Sequence, residues 1–309
     1  MSEVKDLYHT PVLATKVIEL LLENKGHIFI DATVGYGSHA IQLLDKAGPD
    51  IQLYALDRDP QALLQAQAHL SKYNNIFYQV GSFSELKRHT ATWNITEADG
   101  ILADLGPGSH QLDDASRGFT HRFSGDLDMR YNPEQNLTAE NIINEWSYEE
   151  LTNLFQRIGE ERRAAVVARE VTRRRPLKTT ADLAAIVRRC CSGPHVEKSL
   201  ARIFMSLRVA VNDELNMIEA FLPAAASLLK TGGRLVVIAF DSHQDRLVKE
   251  FFRRQSLNCV CPPRLPMCVC NVKPALKVIT RKTVRPDAQE ILTNPRSRSA
   301  RLRCAEKIV

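Results

Sequence analysis

The chain has 309 residues, 44% of them hydrophobic and 25% charged, with a formal net charge of +5. That length suits one α/β domain carrying an insert, or two domains, and the composition excludes a disordered, collagenous or disulfide-scaffold protein. No apolar run approaches the ~20 residues of a membrane helix, and the polar, acid-bearing start Met1–Thr10 is unlike a signal peptide, so a cytoplasmic protein without a membrane partner is expected.

The first hundred residues alternate strand and helix patterns. His27–Asp31 (HIFID) predicts a short apolar strand, then a glycine-bearing turn, then the helix AIQLLDKAG. Ile51–Leu56 predicts a second strand, with a helix starting at Pro60, a favourable first-turn residue. Asn75–Val80 and Asp99–Ala103 predict the third and fourth. Strands separated by helices imply a mainly parallel sheet with right-handed crossovers. Residues 105–135 read as loop. From Thr138 to about Leu229 the pattern is helical, with capping signals at Ser147 and Glu150 and at Thr179 and Asp182, and a break at Pro176. Residues 151–210 hold 13 Lys and Arg against 5 Asp and Glu, a net +8, whereas the rest of the chain nets −3. Basic charge concentrated in one segment is what a polyanion-binding surface requires.

Strand character resumes after Gly232-Gly233 with RLVVIAF, followed by an amphipathic helix over Asp241–Arg254 and by LKVITRK and SARLRCAEK as the last strands. The expected organisation is a discontinuous domain, 1–105 with 210–309, interrupted by a helical RNA-recognition domain over 106–209. Cys259, Cys261, Cys268 and Cys270 form a C-x-C…C-x-C cluster. Structural zinc sites usually use C-x₂₋₄-C, so reduced thiols with no metal are the favoured reading.

The strand ends carry the candidate site. DATVGYG places Asp31, Gly35 and Gly37 where a strand turns into a helix, a general nucleotide cradle: glycine admits a ligand to the backbone and the helix offers free amides. Asp57 ends the second strand, where one carboxylate can hold a ribose diol; Asp59 is equally able to cap the next helix. Phe83 follows the third strand, as an adenine neighbour or a core aromatic. Asp104 ends the fourth, and Gln111 to Asp114 follow in a loop.

The strings DLGPGSHQLDDASRGFT, LDMR, GEERRAAVVAREV, LRVAVNDEL, GGRLVVIAFDSHQDRLVK and NPRSRSARLR, in this order, resemble the 16S ribosomal RNA cytosine methyltransferases of the RsmH, or MraW, type. The resemblance runs from about His9 to Lys307. It implies a class I S-adenosylmethionine-dependent methyltransferase fold, Rossmann-like, with an inserted helical domain. It implies methylation of the N4 amine of a cytosine in the decoding region, with S-adenosylmethionine as donor and 16S RNA or the small ribosomal subunit as partner; a homodimer is left open. It implies donor contacts from Gly37, Ser38, His39, Asp57, Phe83, Asp104 and Gln111. The chain departs from the family pattern at Ser38, at Pro107, Gly108 and His110, at Lys198–Arg202 (KSLAR), and at Asp241, His243 and Gln244.

An amine nucleophile needs in-line placement and an acceptor for its protons. Asp104, or a carbonyl of Leu105–Gly108, is the expected acceptor, with Asp113 and Asp114 as second candidates whose other role is turn formation. Arg117, Arg130, Arg162, Arg163 and Arg173–Arg175 are expected at RNA phosphates, with Arg296, Arg298, Arg301 and Arg303 as a second basic edge. Two other readings stay open: a methyltransferase with another substrate, and a non-catalytic RNA-binding or assembly factor on the same fold.

Overall fold

The computed structural model describes residues 11–259, 261, 270 and 272–309. The chain divides into two compact units, Met1–Gly106 with Asn216–Val309, and Pro107–Leu215.

In the first unit the helices and strands are α1 (Ala14–Leu22), β1 (Ile28–Asp31), α2 (Ser38–Ala47), β2 (Gln52–Asp57), α3 (Pro60–His69), β3 (Ile76–Val80), α4 (Leu86–Thr92) and β4 (Ala98–Asp104). The helical segment follows as α5 (Ser109–Asp113), α6 (Ala139–Glu145), α7 (Tyr148–Arg157), α8 (Ala164–Arg173), α9 (Thr180–Cys190) and α10 (Val196–Val211), and then α11 (Glu214–Leu228). The chain finishes with β5 (Leu229–Ala239), α12 (Ser242–Gln255), β6 (Leu276–Val278), α13 (Ala288–Thr293) and β7 (Arg301–Lys307).

The seven strands form one sheet in the order β3-β2-β1-β4-β5-β7-β6. The pairings from β3 through to β5 are parallel, and β7 runs antiparallel to both β5 and β6. Central strands of such a sheet are covered on both faces, which is why they read as continuous apolar runs. Alternate residues serve the two faces. Ile30, Leu56, Ile101, Leu235 and Val237 pack with Phe221 and Leu222 of α11 and Phe251 and Phe252 of α12. Phe29, Ala55, Leu102, Val236 and Ile238 pack with Val17 of α1, Leu43 and Leu44 of α2 and Leu63 of α3.

Two terminal-strand expectations are revised. Gly232-Gly233 does not precede a strand; it lies within β5, where Ala98 pairs with Leu229 but Gly100 already pairs with Arg234, so the extra residues bulge out. Of LKVITRK only Leu276–Val278 pairs as a strand, because the amides of Ile279 and Thr280 both turn onto the Cys304 carbonyl, at 2.9 and 3.2 Å.

The second unit has its own core, centred on the fully buried Phe155 and including Leu151, Val167, Val171, Leu183, Ile203 and Leu207. Its bounds differ from 106–209 by one residue at the start and six at the end. The later end has a cause in Asn212, which donates to the Met129 carbonyl at 2.7 Å and accepts from the Tyr131 amide at 2.9 Å. Arg208 forks onto Glu214, with Nε to Oε1 at 2.7 Å and Nη2 to Oε2 at 3.1 Å. The strings LDMR and LRVAVNDEL, distant in sequence, are thus one buried hydrogen-bonded junction.

Candidate active site

Parallel strands put their carboxyl ends on one rim of the sheet. The strand order reverses between β1 and β4, and the crevice beyond such a reversal is where open α/β sheets bind ligands. Asp31 ends β1 and Asp104 ends β4, so the crevice is flanked by two carboxyls.

Local hydrogen bonding fixes the rim. The Thr33 amide donates to Asp31 Oδ1 at 3.1 Å, an Asx-turn, and Thr33 Oγ1 accepts from the Asp104 amide at 2.7 Å. Thr33 therefore couples the two strand ends. Asp57 accepts from the Gly35 amide through Oδ2 and from the Asp59 amide through Oδ1, both at 2.8 Å. It latches the glycine turn to the end of β2. Capping of α3 falls instead to the fully buried Asp59, which accepts from the Gln61 amide at 3.0 Å.

The glycine turn has two left-handed positions. At Gly37, φ is +88° and an added Cβ would lie 2.8 Å from a Leu70 methyl; at Gly35, φ is +53° and an added Cβ would meet nothing within 4 Å. The first glycine is demanded by packing, whereas the second opens onto free space. Ser38 begins α2, and His39 is buried beside it. His39 Nε2 lies 2.9 Å from the Val12 carbonyl, which places the proton of a neutral ring on Nε2 and turns Nδ1 toward Asp104 Oδ2, 3.7 Å away.

Burial pushes the Asp104 carboxyl up to about 8, with the charge of Asp31 adding to the rise. Burial likewise raises Asp31 to about 7, opposed by the Thr33 amide and reinforced by the charge of Asp57. Two close carboxyls in a desolvated crevice do not both ionise readily. Asp104 Oδ1 is buried and has no hydrogen-bond partner among the described residues. An orphaned acceptor of this kind is costly unless a ligand meets it.

Phe83 stands just after β3 in a short 3₁₀ turn, half-buried, with its ring edge-on to Phe221 at 5.3 Å. His89 of α4, which has no sequence signal, holds this turn: its Nε2 is 3.2 Å from the Ser82 carbonyl. Asp31, His39, Asp57, Asp104 and the glycine turn are thus brought together on one rim, with Phe83 after the adjacent strand.

Gln111, Asp113 and Asp114 belong to the helical unit. Gln111 is buried and its Oε1 accepts from the Gly108 amide at 3.0 Å. Asp114 caps a 3₁₀ turn, accepting from the Ser116 amide at 2.9 Å and hydroxyl at 2.6 Å. The residues that depart from the family pattern in the fifth-strand region keep a local role: Asp241 caps α12 through the amides of His243 and Gln244, both at 2.9 Å.

Several arginines expected at phosphates are spent inside the fold. Arg130 is held bidentately by Asp128 and donates to the carbonyls of Pro133 and Gln135. Arg117 donates to the carbonyls of Arg130 and Tyr131, and Arg175 to those of Ile143 and Trp146. Arg303 is bidentate on Asp245 and also bonds Thr283. Arg162, Arg163, Arg169, Arg173, Arg188 and Arg189 are exposed. Arg169 and Arg173 share the face of α8 opposite its buried Val167, Ala168 and Val171, and Arg162 lies in the turn that precedes the helix.

The sequence profile of the MraW methylase family matches residues 6–308. The chain belongs to the MraW methylase family. It is 45% identical over 97% of its length to the ribosomal RNA small subunit methyltransferase H of Thermomicrobium roseum, of which 94% is covered. It is 41% identical over 97% of its length to the protein of the same name from Syntrophotalea carbinolica, of which 98% is covered. A solved rRNA methylase from Streptococcus thermophilus aligns over 96% of this chain and 94% of its own, at 12% identity and a TM-score of 0.41. The sheet is the class I, Rossmann-like arrangement of S-adenosylmethionine-dependent methyltransferases. As a member of this methylase family the chain uses S-adenosylmethionine as its methyl donor. The rim fits such a ligand: a sulfonium cation suits a crevice with an unpartnered carboxyl oxygen, and Gly35 leaves room at the backbone.

No helix among the described residues is long and apolar enough to cross a membrane.

Proposed function

We propose that this methylase transfers a methyl group to the exocyclic N4 amine of a cytosine in the decoding region of 16S ribosomal RNA. The observation that carries the ribosomal assignment is near-full-length similarity, above 40% identity, to proteins named ribosomal RNA small subunit methyltransferase H. The cytosine amine is favoured by the strings from QLDD to NPRSRSA, and by the chemistry of Asp104.

S-adenosylmethionine, when bound, supplies an electrophilic methyl group on a cationic sulfur. Residues of the rim do the rest. Gly35 would let the ligand approach the backbone amides at the start of α2, Gly37 would shape the turn that presents them, and Asp57 would hold the ribose diol while latching the turn. Phe83 would lie along the adenine.

Asp104 is the group assigned to the acceptor amine. Accepting a hydrogen bond from N4 localises the nitrogen lone pair and drains the positive charge that develops there. Its Oδ1 is the unpartnered oxygen at the end of β4, and His39 Nδ1 lies behind Oδ2 as the next site for a proton. No covalent enzyme intermediate is required.

The target base must leave its stack to reach such a rim. The exposed arginines on α8 are proposed to meet RNA phosphates.

The deciding experiment maps cytosine methylation on 16S RNA from cells with and without this gene, and repeats the transfer with purified small subunits and labelled donor. Loss of one N4-methylcytosine, restored by the wild-type protein and not by Asp104→Ala, is the expected result. An unchanged methylation map together with no transfer to small subunits rejects the proposal.

A further inference from the structure

The described cysteines fall into two groups. Cys190, Cys191 and Cys304 are buried. Burial raises their thiols above the usual range, Cys304 to about 12, so they are inert core residues. Cys259, Cys261 and Cys270 are exposed or half-buried, which is unusual for a residue that behaves as a small hydrophobe. Packing does not explain them.

Geometry does. The three Sγ atoms all lie within 4.8 Å of one another. Cys259 and Cys270 approach to 3.8 Å between sulfurs. That is far beyond the ~2.05 Å of a disulfide bond. It matches the ~3.8 Å edge of a tetrahedron whose corners lie at the ~2.3 Å zinc–thiolate distance. The Cys261 amide donates to Cys259 Sγ at 3.3 Å. An amide directed at sulfur stabilises the thiolate form, as outer partners of a metal ligand do.

The cluster occupies the connection between α12 and β6. Its base is closed by the Ala275 amide, which donates to the Gln255 carbonyl at 2.9 Å. Leu276, which opens β6, belongs to the core, whereas Cys259, Cys261 and Cys270 are in none of the core clusters. Thiols outside the core are where a bound ion can contribute to order.

We propose that Cys259, Cys261 and Cys270 form a structural site for a soft divalent metal ion of the zinc class, clamping this connection against the edge of the sheet. Three thiolates define three corners, and zinc suits them because sulfur ligands and tetrahedral geometry select it over hard cations. The site is separate from the carboxyl rim and independent of the methylated substrate.

The test uses the full chain, produced without an affinity tag and purified under reductant without chelator. Elemental analysis is expected to find about one zinc per chain. Replacement by cobalt is expected to give sulfur-to-metal charge-transfer absorption and the intense visible bands of a tetrahedral thiolate site. Cys259→Ser with Cys270→Ser should abolish both, while Cys304→Ala leaves them unchanged. A reduced wild-type chain with under about a tenth of an equivalent of zinc and no cobalt–thiolate absorption overturns the proposal, since a site of this class binds far more tightly. So does full metal content in the double variant, or an intact mass showing a disulfide among these cysteines under the same reductant.

Discussion

The carboxyl rim makes donor binding proton-linked. With its carboxyl held at about 8, Asp104 is ~90% protonated at pH 7 when no ligand is present. A cationic ligand binds the ionised form better, so binding expels a proton and affinity rises with pH. If the bound state returns Asp104 to an ordinary carboxylate value, affinity follows the ionised fraction, which climbs from ~1% at pH 6 to ~50% at pH 8. That is a ~50-fold gain, with a limiting slope of tenfold, or ~1.4 kcal/mol, per pH unit. Isothermal titration with S-adenosylmethionine at pH 6, 7 and 8 reads the affinity, and buffers of different ionisation enthalpy count the proton. The donor's own α-amine titrates near pH 8, so the signal is the difference between the wild type and Asp104→Asn. The variant should lose most of the slope. Superposable profiles for the two proteins would refute the reasoning.

The two turn glycines should separate. Gly35→Ala carries only left-handed strain of about 1–2 kcal/mol, yet places a methyl in the open space of the cradle, so donor affinity should fall more than stability. Gly37→Ala adds a 2.8 Å approach to Leu70 and should lower the melting temperature as well; equal effects of the two substitutions on both readouts would contradict the assignment. Charge reversal at Arg162, Arg169 and Arg173 should weaken RNA binding and flatten its salt dependence by about two units of slope, as loss of three phosphate contacts requires. Arg175→Ala should instead act on stability, because its guanidinium holds the carbonyls of Ile143 and Trp146; urea titration and filter binding distinguish the two. Asn212→Ala should cost about 2–4 kcal/mol by stranding the buried Met129 carbonyl and Tyr131 amide, and a denaturation midpoint within error of wild type would remove that junction from the account.

Much of the first unit was legible because buried parallel strands advertise themselves. IFID, QLYALD and ADGILAD each stand within about a residue of where apolar runs and their closing aspartates placed them. Asp57 and Asp104 followed from the same logic, since strand ends in such a sheet face the crevice. The arginines were less legible. A charge run discloses how many cations a segment holds, not where their donors point, and the carbonyls that capture Arg117 and Arg130 belong to folded loops, those that capture Arg175 to the end of α6. His89 reaches Ser82 only once α4 has packed, so no local pattern marks it. Thr33 carried no expectation from sequence: its bond to the Asp104 amide spans 71 residues and is a product of strand pairing. Spacing alone does not say whether the thiols of the C-x-C cluster meet, because the approach of Cys259, Cys261 and Cys270 to within 4.8 Å is a product of the tertiary structure.

The bond from the Gly35 amide to Asp57 has a bearing on how any mutational survey of this enzyme is interpreted. One side chain is both the floor of the glycine loop and the proposed anchor of the sugar, so truncating it would act on both at a stroke. An Asp57→Ala enzyme that no longer takes up donor would say little about sugar recognition, because the loop would also have come adrift. Asparagine, which keeps an acceptor for Gly35 but gives up a charge, is the substitution able to pull the two apart.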